Sequence, residues 1–287
     1  MANHPEVPIR FSPIRFSPIR FSVVTISFNQ ARFLREAIES VLSQEGEGIE
    51  IEYIVCDPGS KDDSRAIADS YGERIAHRVY ERDDGPADGL NRGFARASGE
   101  VFCYINSDDY FLPGAFARVA RFLAQRPDID VVLGHGLAVD GEGKVLRRIW
   151  SEPFTRRATA YGAHVQVQPA TFIRGEAWRR SGGFDAGDRC TWDSTLLDNL
   201  FLAGARFAVL DAFLGAFRLY PGTITASGSL KEQMDLSHAR RFERLMGRPW
   251  RSGDSQIARL LRLVKHLRWP GRAIERWRYG PLFMREA

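Results

Sequence analysis

The sequence predicts an α/β fold built around a mainly parallel sheet, because apolar strand-like runs alternate with amphipathic helical stretches. The first run, residues 21–27, is apolar and β-branched, which is typical of a strand covered on both faces. Further strand-like runs occupy residues 49–56, 78–80 and 100–105. Between the runs at 21–27 and 49–56, apolar side chains recur at helical spacing, at Phe33, Leu34, Ala37, Ile38, Val41 and Leu42. Repeated βαβ units of this kind predict right-handed crossovers with helices flanking the sheet.

The pattern changes in the second half of the chain. Short strand-like runs at 131–133, 145–150 and 171–173 are separated by loops, and a helix over 192–203 leads to a strand over 207–210. We therefore expect a first half that binds a nucleotide and a second half, built onto the same sheet, that faces an acceptor.

Composition and charge narrow the class of protein. The 287 residues are 44% hydrophobic and 26% charged, which is ordinary for a globular domain. The net charge is +4, but residues 240–287 carry 13 Lys and Arg against 4 Asp and Glu, so the rest of the chain is mildly acidic. Nucleic-acid binding by the body is therefore not expected.

The cysteines and the apolar runs bear on the compartment. Three cysteines, Cys56, Cys103 and Cys190, are an odd number without metal-type spacing, which favours thiols in a reducing cytoplasm. No uncharged apolar run approaches the roughly 20 residues of a membrane-spanning helix, and the N-terminus lacks the apolar core of a signal peptide. We expect a cytoplasmic protein.

Acidic residues follow three of the predicted strands. Asp57 ends the second strand, Asp83 and Asp84 follow the third, and Asp108 and Asp109 end the fourth. Ligands of open parallel sheets bind beyond the carboxyl ends of the strands. Carboxylates that converge there repel one another unless a cation lies between them. Mn²⁺ or Mg²⁺, with diphosphate oxygens completing the shell, fits this donor chemistry.

Several ordered segments resemble the inverting family 2 glycosyltransferases, which have the GT-A fold and use nucleotide sugars. The resemblance covers roughly residues 21–225. The matching segments are 24–30 (VTISFNQ), 57–64 (DPGSKDDS), 85–94 (GPADGLNRGF), 97–100 (ASGE), 106–109 (NSDD), 168–172 (QPATF) and 182–185 (GGFD). The implied fold is a Rossmann-like mixed sheet flanked by helices, with a C-terminal helical appendage.

The resemblance also implies roles for individual residues. Those on the nucleotide side are Ser27, Asn29, Asp57, Asp84, Asn91, Arg92, Asn106 and Asp108. Asp57 would accept hydrogen bonds from the base, and Arg92 would lie near the diphosphate. Asp109 would bind the metal together with Asp108. The family usually has Asp where this chain has Asn106, so the metal charge would be less well neutralised here.

An inverting transfer needs a general base, and the resemblance places it near the start of a helix after Gly182-Gly183-Phe184-Asp185. Asp193 is the predicted base. A simple helix N-cap is the alternative role for this side chain. Asp185 and Asp188 are the rival bases, whereas Asp198 is expected to be a solvated or ion-paired helix residue.

Three further residues belong to the acceptor or diphosphate side. Gln168 and Thr171 resemble the strand that lines the acceptor side in relatives, although Gln168 could instead satisfy a backbone group. Arg218 would face phosphate or pair with an acidic neighbour. Relatives often carry a histidine where this chain has Tyr220, which weakens the case for a histidine contact to the metal. The lone histidines His135 and His164 are expected to be structural.

The two ends of the chain differ from its body. Residues 8–22 repeat Pro-Ile-Arg-Phe-Ser three times, and prolines at this spacing prevent a regular helix. Near the other end, Arg-rich sequence carries an apolar stripe at Ile257, Leu260, Leu261, Val264 and Leu267. Two interpretations stay open: an interfacial helix on anionic lipid at the inner face of the membrane, or, slightly favoured, a helix packed on the body.

We therefore expect a repeat extension over 1–20, a GT-A glycosyltransferase domain over 21–228 and a basic helical region over 229–287. The predicted activity is metal-dependent transfer of a sugar, with inversion, from a nucleotide-diphosphate donor, with UDP favoured, to a glycan or lipid-linked glycan. Synthesis of a bacterial surface polysaccharide or glycoconjugate would be its setting. The alternative is a non-catalytic GT-A-like scaffold or membrane-associated interaction protein. A nucleotidyltransferase is disfavoured, because no glycine-rich loop follows the first strand.

Overall fold

A computed structural model describes residues 18–188, 190–221 and 231–279. Most of the predicted repeat extension lies outside these residues. The strands are β1 Ile19–Ile26, β2 Ile49–Cys56, β3 His77–Val79, β4 Val101–Asn106, β5 Tyr110–Phe111, β6 Val131–Val139, β7 Val145–Ile149, β8 Thr171–Arg174 and β9 Phe207–Arg218. The helices are α1 Ala31–Leu42, α2 Ser64–Asp69, α3 Pro86–Phe94, α4 Ala115–Gln125, α5 Arg156–Ala160, α6 Gly175–Ser181, α7 Trp192–Leu202, α8 Lys231–Met246, α9 Asp254–Arg268 and α10 Pro270–Tyr279.

The first half of the sheet is parallel, as predicted. The strands β3, β2, β1 and β4 are neighbours in this order, and all three of their pairings are parallel. Ile26 pairs with both Cys56 and Asn106, so β1, β2 and β4 end level with one another. The residues that follow these three strands therefore meet at one edge of the sheet.

The second half of the sheet is mixed. Strand β8 runs antiparallel between β4 and β6, and β9 lies parallel to β6 and antiparallel to β5. Strand β9 continues eight residues past the predicted end at residue 210, because an irregularity opposite Leu133–His135 accommodates Asp211. The side chain of Asp211 stays 90% exposed there. Strand β9 therefore reaches Arg218, beside the end of β4.

Apolar side chains on the two faces of the sheet form separate clusters. Helices α1 and α4 cover one face through residues such as Leu34, Ile38 and Phe116. Helices α3 and α7 cover the other through Leu90, Phe94 and the buried leucines of α7. The result is a three-layer arrangement that holds the strand ends in fixed positions.

The C-terminal helices join the body through a third, small cluster of Tyr161, Phe242 and Ala258. A buried polar network supports the cluster, because Arg248 pairs with Asp254 at 2.7 Å and the Tyr161 hydroxyl donates to the same carboxylate at 2.8 Å. The Arg248 contact and the other hydrogen bonds hold the pKa of Asp254 far below its usual range. Within the described part of the chain, no helix combines the length and apolarity needed to cross a membrane.

Candidate active site

The turn after β4 holds Asn106 and Asp109 together. The Asp109 amide donates to the Asn106 carbonyl at 3.1 Å, which closes the turn before β5. The Asp109 side chain is only 2% exposed, and both its oxygens accept hydrogen bonds. One accepts from the Arg218 amide at 2.9 Å, and the other from the Asn106 side-chain amide at 3.3 Å. Asp109 therefore faces into the protein and supports the turn.

Asp108 has the more open position of the two. Its side chain is half-buried, and one of its oxygens accepts from the Tyr220 hydroxyl at 3.1 Å. Burial raises the pKa of Asp108, and burial together with the neighbouring Asp108 charge raises the pKa of Asp109 well above its usual range. The two adjacent carboxyl groups therefore favour a proton or a cation beside them.

Arg218 fixes this turn from the end of β9. Its side chain is 2% exposed. Nε donates to the Asp108 carbonyl at 2.8 Å, and Nη1 donates to the carbonyls of Asp140 and Gly141. The remaining arm of the guanidinium pairs with Glu36 at 2.5 Å. Two roles were predicted for Arg218, and the one observed is an ion pair with an acidic neighbour, Glu36.

The donor set at this corner suits a divalent cation only in part. Across residues 18–188, 190–221 and 231–279 there is no cluster of three or more His, Cys, Asp or Glu side chains able to hold a metal ion. Mg²⁺ and Mn²⁺ in phosphate-transferring sites commonly take one or two carboxylates and obtain their other ligands from substrate phosphates and water. Asp108, half-buried beside the acidic Asp109, fits a site of that kind.

The ends of β1 and β2 carry two buried polar atoms that lack partners. Asp57 is 1% exposed and Ser27 is 3% exposed. Oδ1 of Asp57 accepts from the amides of Gly59 and Ser60 at 3.0 and 2.7 Å, and from Arg65 at 3.1 Å. Oδ2 of Asp57 and Oγ of Ser27 have no hydrogen-bond partner among the described residues. Orphaned buried polar atoms are rare, and a ligand is one explanation for them.

The other predicted nucleotide-side residues have different surroundings. Asn29 adopts a left-handed backbone conformation with φ of 53° and accepts from the Lys61 amide at 2.8 Å, so it ties β1 to the loop after β2. Asp84 is exposed at the start of the turn into α3. Asn91 has its side-chain amide fully used by the backbone of Phe184, and Arg92 pairs with Asp88 at 2.9 Å. Neither the Asn91 nor the Arg92 side chain forms a hydrogen bond with Asp108.

Asp193 lies in the first turn of α7, half-buried. It does not cap the helix, whose N-cap is Thr191. Its carboxylate accepts from the Ser194 amide at 2.7 Å and from Gln166 at 3.3 Å. Burial raises the pKa of the carboxyl, although these hydrogen bonds and the charge of Arg241 act in the opposite direction.

The rival acids near Asp193 have structural partners. Asp188 accepts from the amides of Cys190 and Thr191 and from the hydroxyls of Thr191 and Thr195, so it organises the start of α7. Asp185 is exposed and accepts from the Gly187 amide at 3.0 Å. Asp198 is fully buried and ion-paired with Arg241 at 2.6 Å, as the ion-pair alternative predicted.

Gln168 links the two halves of the site, whereas Thr171 does not face it. Gln168 donates to the Tyr104 carbonyl at 2.7 Å and accepts from Asn106 at 3.4 Å. Its predicted alternative role, satisfying a backbone group, is therefore present. Thr171 is 3% exposed and donates to the Val167 carbonyl at 3.0 Å, which is a packing role.

A cavity of about 210 Å³ lies beside two residues that contact Asp193. Its walls include Gln166 and Ser194, which both donate hydrogen bonds to the Asp193 carboxylate. They also include His164 and the α8 residues His238 and Arg241. Burial lowers the pKa of His164 to about 4, so its imidazole is neutral at pH 7. Sequence patterns gave no sign of Gln166, Glu36 or the α8 residues, because each is brought in by a distant segment.

Comparisons with solved structures agree with this architecture. S. aureus TarS 1–349 in complex with UDP-GlcNAc superposes with a TM-score of 0.66 at 18% identity, covering 88% of this chain and 73% of that chain. The mannosyltransferase PcManGT from Pyrobaculum calidifontis, in complex with GDP-Man and Mn²⁺, gives a TM-score of 0.60 at 17% identity, covering 96% of this chain and 80% of the other. The predicted GT-A fold is confirmed.

Sequence relatives then give the family. Residues 22–182, more than half of the chain, match the description Glycosyl transferase family 2, and the chain belongs to this family. An uncharacterised glycosyltransferase of Mycobacterium tuberculosis is 32% identical over 164 residues, which cover 56% of this chain and 61% of that protein. One from Nostoc is 32% identical over 123 residues, covering 42% and 37%. The matches span less than two thirds of either relative.

The bracing of the β4 turn by Arg218 gives a stability prediction. Arg218→Lys keeps the charge but removes the planar fork that reaches three carbonyls and Glu36. We expect it to lower the free energy of unfolding by about 1–3 kcal/mol, measured by urea denaturation. Arg32→Lys is the matched control, because its pair with Glu142 has side chains 61% and 82% exposed. Equal unfolding midpoints for Arg218→Lys and the wild type would contradict the bracing role.

Proposed function

We propose that the chain transfers a sugar from a nucleotide-diphosphate donor to an acceptor hydroxyl with inversion at the anomeric carbon. The observation that carries the proposal is the pair of orphaned atoms, Asp57 Oδ2 and Ser27 Oγ, on the two residues that directly follow the paired ends of β2 and β1. A base N–H and a hydroxyl of a nucleoside would satisfy them. Neighbouring side chains would have to move aside, as side chains at binding sites commonly do.

Asp193 is the proposed general base. Its carboxylate would take the proton from the acceptor hydroxyl while that oxygen forms a bond to the anomeric carbon. The bond from this carbon to the diphosphate would break, and the diphosphate would leave with the electron pair. Gln166, bonded to the carboxylate at 3.3 Å, would orient it. In this proposal Asp193 belongs to the acceptor half, and the acceptor oxygen would attack from the face of the sugar opposite the leaving group.

Asp108 is the proposed protein ligand for a divalent cation, Mn²⁺ or Mg²⁺. Asp109 was predicted to bind the metal together with Asp108, but it is only 2% exposed and each of its oxygens accepts a hydrogen bond, so in this proposal it supports the turn. When bound, the cation would neutralise charge on the departing diphosphate. Tyr220, where relatives carry a histidine, would hold the Asp108 carboxylate in place through its 3.1 Å hydrogen bond.

The substrates follow from the same features and from the relatives. TarS is seen with UDP-GlcNAc and PcManGT with GDP-Man and Mn²⁺, so nucleotide sugars are the donor class to test, with UDP-sugars first. The acceptor would be a glycan or lipid-linked glycan of a bacterial surface polysaccharide or glycoconjugate. The proposed sugar transfer would take place in the cytoplasm, where sugar nucleotides are available to the enzyme.

The orphaned atoms provide a sharp test of nucleotide binding. Ser27→Ala removes a hydroxyl that makes no hydrogen bond in the described structure, so its unfolding free energy should stay within about 0.5 kcal/mol of wild type. The same variant should bind UDP about 3–10-fold more weakly in calorimetric titrations with Mn²⁺. In Asp57→Asn, the Gly59 and Ser60 amides would fix the amide orientation and put an NH₂ where the base donates, so affinity should fall at least about tenfold.

Unchanged UDP affinity in both variants would contradict the assignment of the base site. If the wild type binds no nucleoside diphosphate at all, with or without metal, the rival interpretation as a non-catalytic GT-A scaffold is favoured. Turnover with a panel of sugar nucleotides separates the two, because a scaffold transfers nothing to any acceptor.

The raised pKa of Asp193 gives a pH prediction. Only the ionised carboxylate accepts a proton, so kcat/KM should rise with pH through a pKa above the ordinary Asp range and then level off. Asp193→Asn should lower kcat by roughly 10²–10⁴-fold and abolish this acidic limb. Asp185→Asn, the rival assignment on an exposed side chain, should keep the limb. A limb lost in Asp185→Asn but retained in Asp193→Asn would reverse the assignment.

A further inference from the structure

Helix α9 packs on the body with one side and exposes most of its large apolar side chains to water on the other. Its inward side carries Asp254, Ala258 and Leu261, which contact the Tyr161 cluster and the Arg248 network. The helix therefore packs on the body, as the slightly favoured interpretation expected, but four of the five residues in the predicted apolar stripe point away from the packed side. The exposed apolar residues of α9 are Ile257 (39%), Leu260 (58%), Leu263 (54%), Val264 (50%) and Leu267 (71%).

The spacing of these residues gives one continuous strip along the helix. Residues at i, i+3, i+7 and i+10 from Ile257 fall on a single face, and Leu263 widens that face by one position. Helix α10, which begins two residues after α9 ends, adds exposed apolar side chains at Ile274 (63%) and Trp277 (86%). Large apolar patches on a protein surface mark a binding surface or an aggregation liability.

Basic side chains flank the strip. Arg259 is exposed along one border of it, and Arg268 along the other. Residues 254–279 contain seven Lys and Arg against two Asp and Glu, a net charge of +5. Both acids are occupied, because Asp254 pairs with Arg248 and Glu275 pairs with Arg148 at 3.2 Å. The exposed surface is therefore apolar at its centre and positive at its borders.

We infer that this surface, defined as the outward face of α9 together with Ile274 and Trp277, docks on an anionic lipid surface. An apolar strip with arginines at its borders matches a helix lying in the membrane interface, with its apolar side among the acyl chains and its cations at the headgroups. A second copy of the chain fits less well, since two-fold pairing of this face would bring arginine borders of like charge together. Nucleic acid would engage the arginines but leave the aliphatic strip in water.

The inward side of α9 connects this surface to the acceptor half of the site. Lys265 donates to the Ala163 carbonyl at 3.0 Å and pairs with Glu152 at 3.2 Å. Gln166, which contacts Asp193, follows three residues after Ala163. Docking through α9 would bring the acceptor side close to the lipid surface, and, on the proposed function, this favours a lipid-linked acceptor.

Vesicle co-sedimentation of the full chain tests the docking surface directly. Vesicles of phosphatidylcholine with phosphatidylglycerol should bind the wild type, whereas pure phosphatidylcholine should bind it far more weakly, and added salt should weaken the anionic case. Leu260→Asp with Leu267→Asp should lower the affinity for anionic vesicles at least about tenfold. Leu236→Asp is the matched control, because Leu236 is a 60% exposed leucine on α8 outside this surface.

Two double charge reversals test whether vesicle binding depends on the arginines at the border of this surface or only on the net charge of the protein. Arg259→Glu with Arg268→Glu should also lose at least about tenfold in affinity. Arg74→Glu with Arg121→Glu makes the same change in net charge at exposed arginines elsewhere and should bind as the wild type does. Thermal melts of all variants should agree, since the substituted side chains face water.

Three results would overturn the inference. These are no wild-type binding to anionic vesicles, unchanged binding by the leucine pair, and an equal loss in the Arg74 and Arg121 control. Dimerisation of the wild type that the leucine pair abolishes, without vesicle binding, would assign the face to a second copy instead. UDP titration of the same variants is independent of these outcomes, so failure of docking and failure of the proposed glycosyl transfer are distinguishable.

Discussion

The guanidinium of Arg218 joins the two halves of the sheet at the point where the candidate chemistry lies. It donates to the Asp108 carbonyl, while the backbone amide of the same residue donates to the Asp109 carboxylate. The planar fork of arginine can satisfy several acceptors at once, and here a buried charge is held by three carbonyls and the Glu36 carboxylate. Arg218 thereby adds to the pairing of β5 with β9 and to the Tyr220–Asp108 hydrogen bond, which also connect the end of β4 with the end of β9.

The remainder of the site depends on the level ending of β1, β2 and β4. Their common register places Ser27, Asp57 and the Asn106–Asp109 turn at one edge of the sheet. Elsewhere in the core, buried polar groups such as Thr25 and Tyr53 pair with each other, at 2.9 Å. At the edge, Asp57 and Ser27 each have a buried atom without a partner, as do some residues elsewhere in the described structure, among them His164 and Trp178. Local departures of this kind are expected where a sequence serves binding as well as stability.

Much of this could be predicted from the sequence because it depends on local pattern. Continuous apolar runs predicted the parallel strands, and the residues directly after them had to lie at the ligand-binding edge. The direction of a side chain was not predictable in the same way. Asn91 and Thr171 occur in matching segments, but each uses its polar atoms on the protein's own backbone. Spacing along the chain does not show which neighbour a rotamer will reach.

Long-range contacts account for the other differences. Glu36 and Arg218 are 182 residues apart, and no local pattern links them. Strand β9 continues past the exposed Asp211 because its pairing with β6 is irregular there. From the sequence alone, an Asp at this position indicates a turn and therefore the end of the strand. The periodicity of α9 correctly showed an apolar stripe, but the direction of that stripe was set by the Tyr161 cluster on its other side.

The most direct test of the central claim is a crystal structure of the full chain with UDP and Mn²⁺. We expect the uracil ring against Asp57 and Ser27, the diphosphate and one metal ion beside Asp108, and open space between the β-phosphate and the Asp193 carboxylate. A nucleotide bound elsewhere, or one bound at this edge with Asp57 Oδ2 still unpartnered and no metal at Asp108, would contradict this claim.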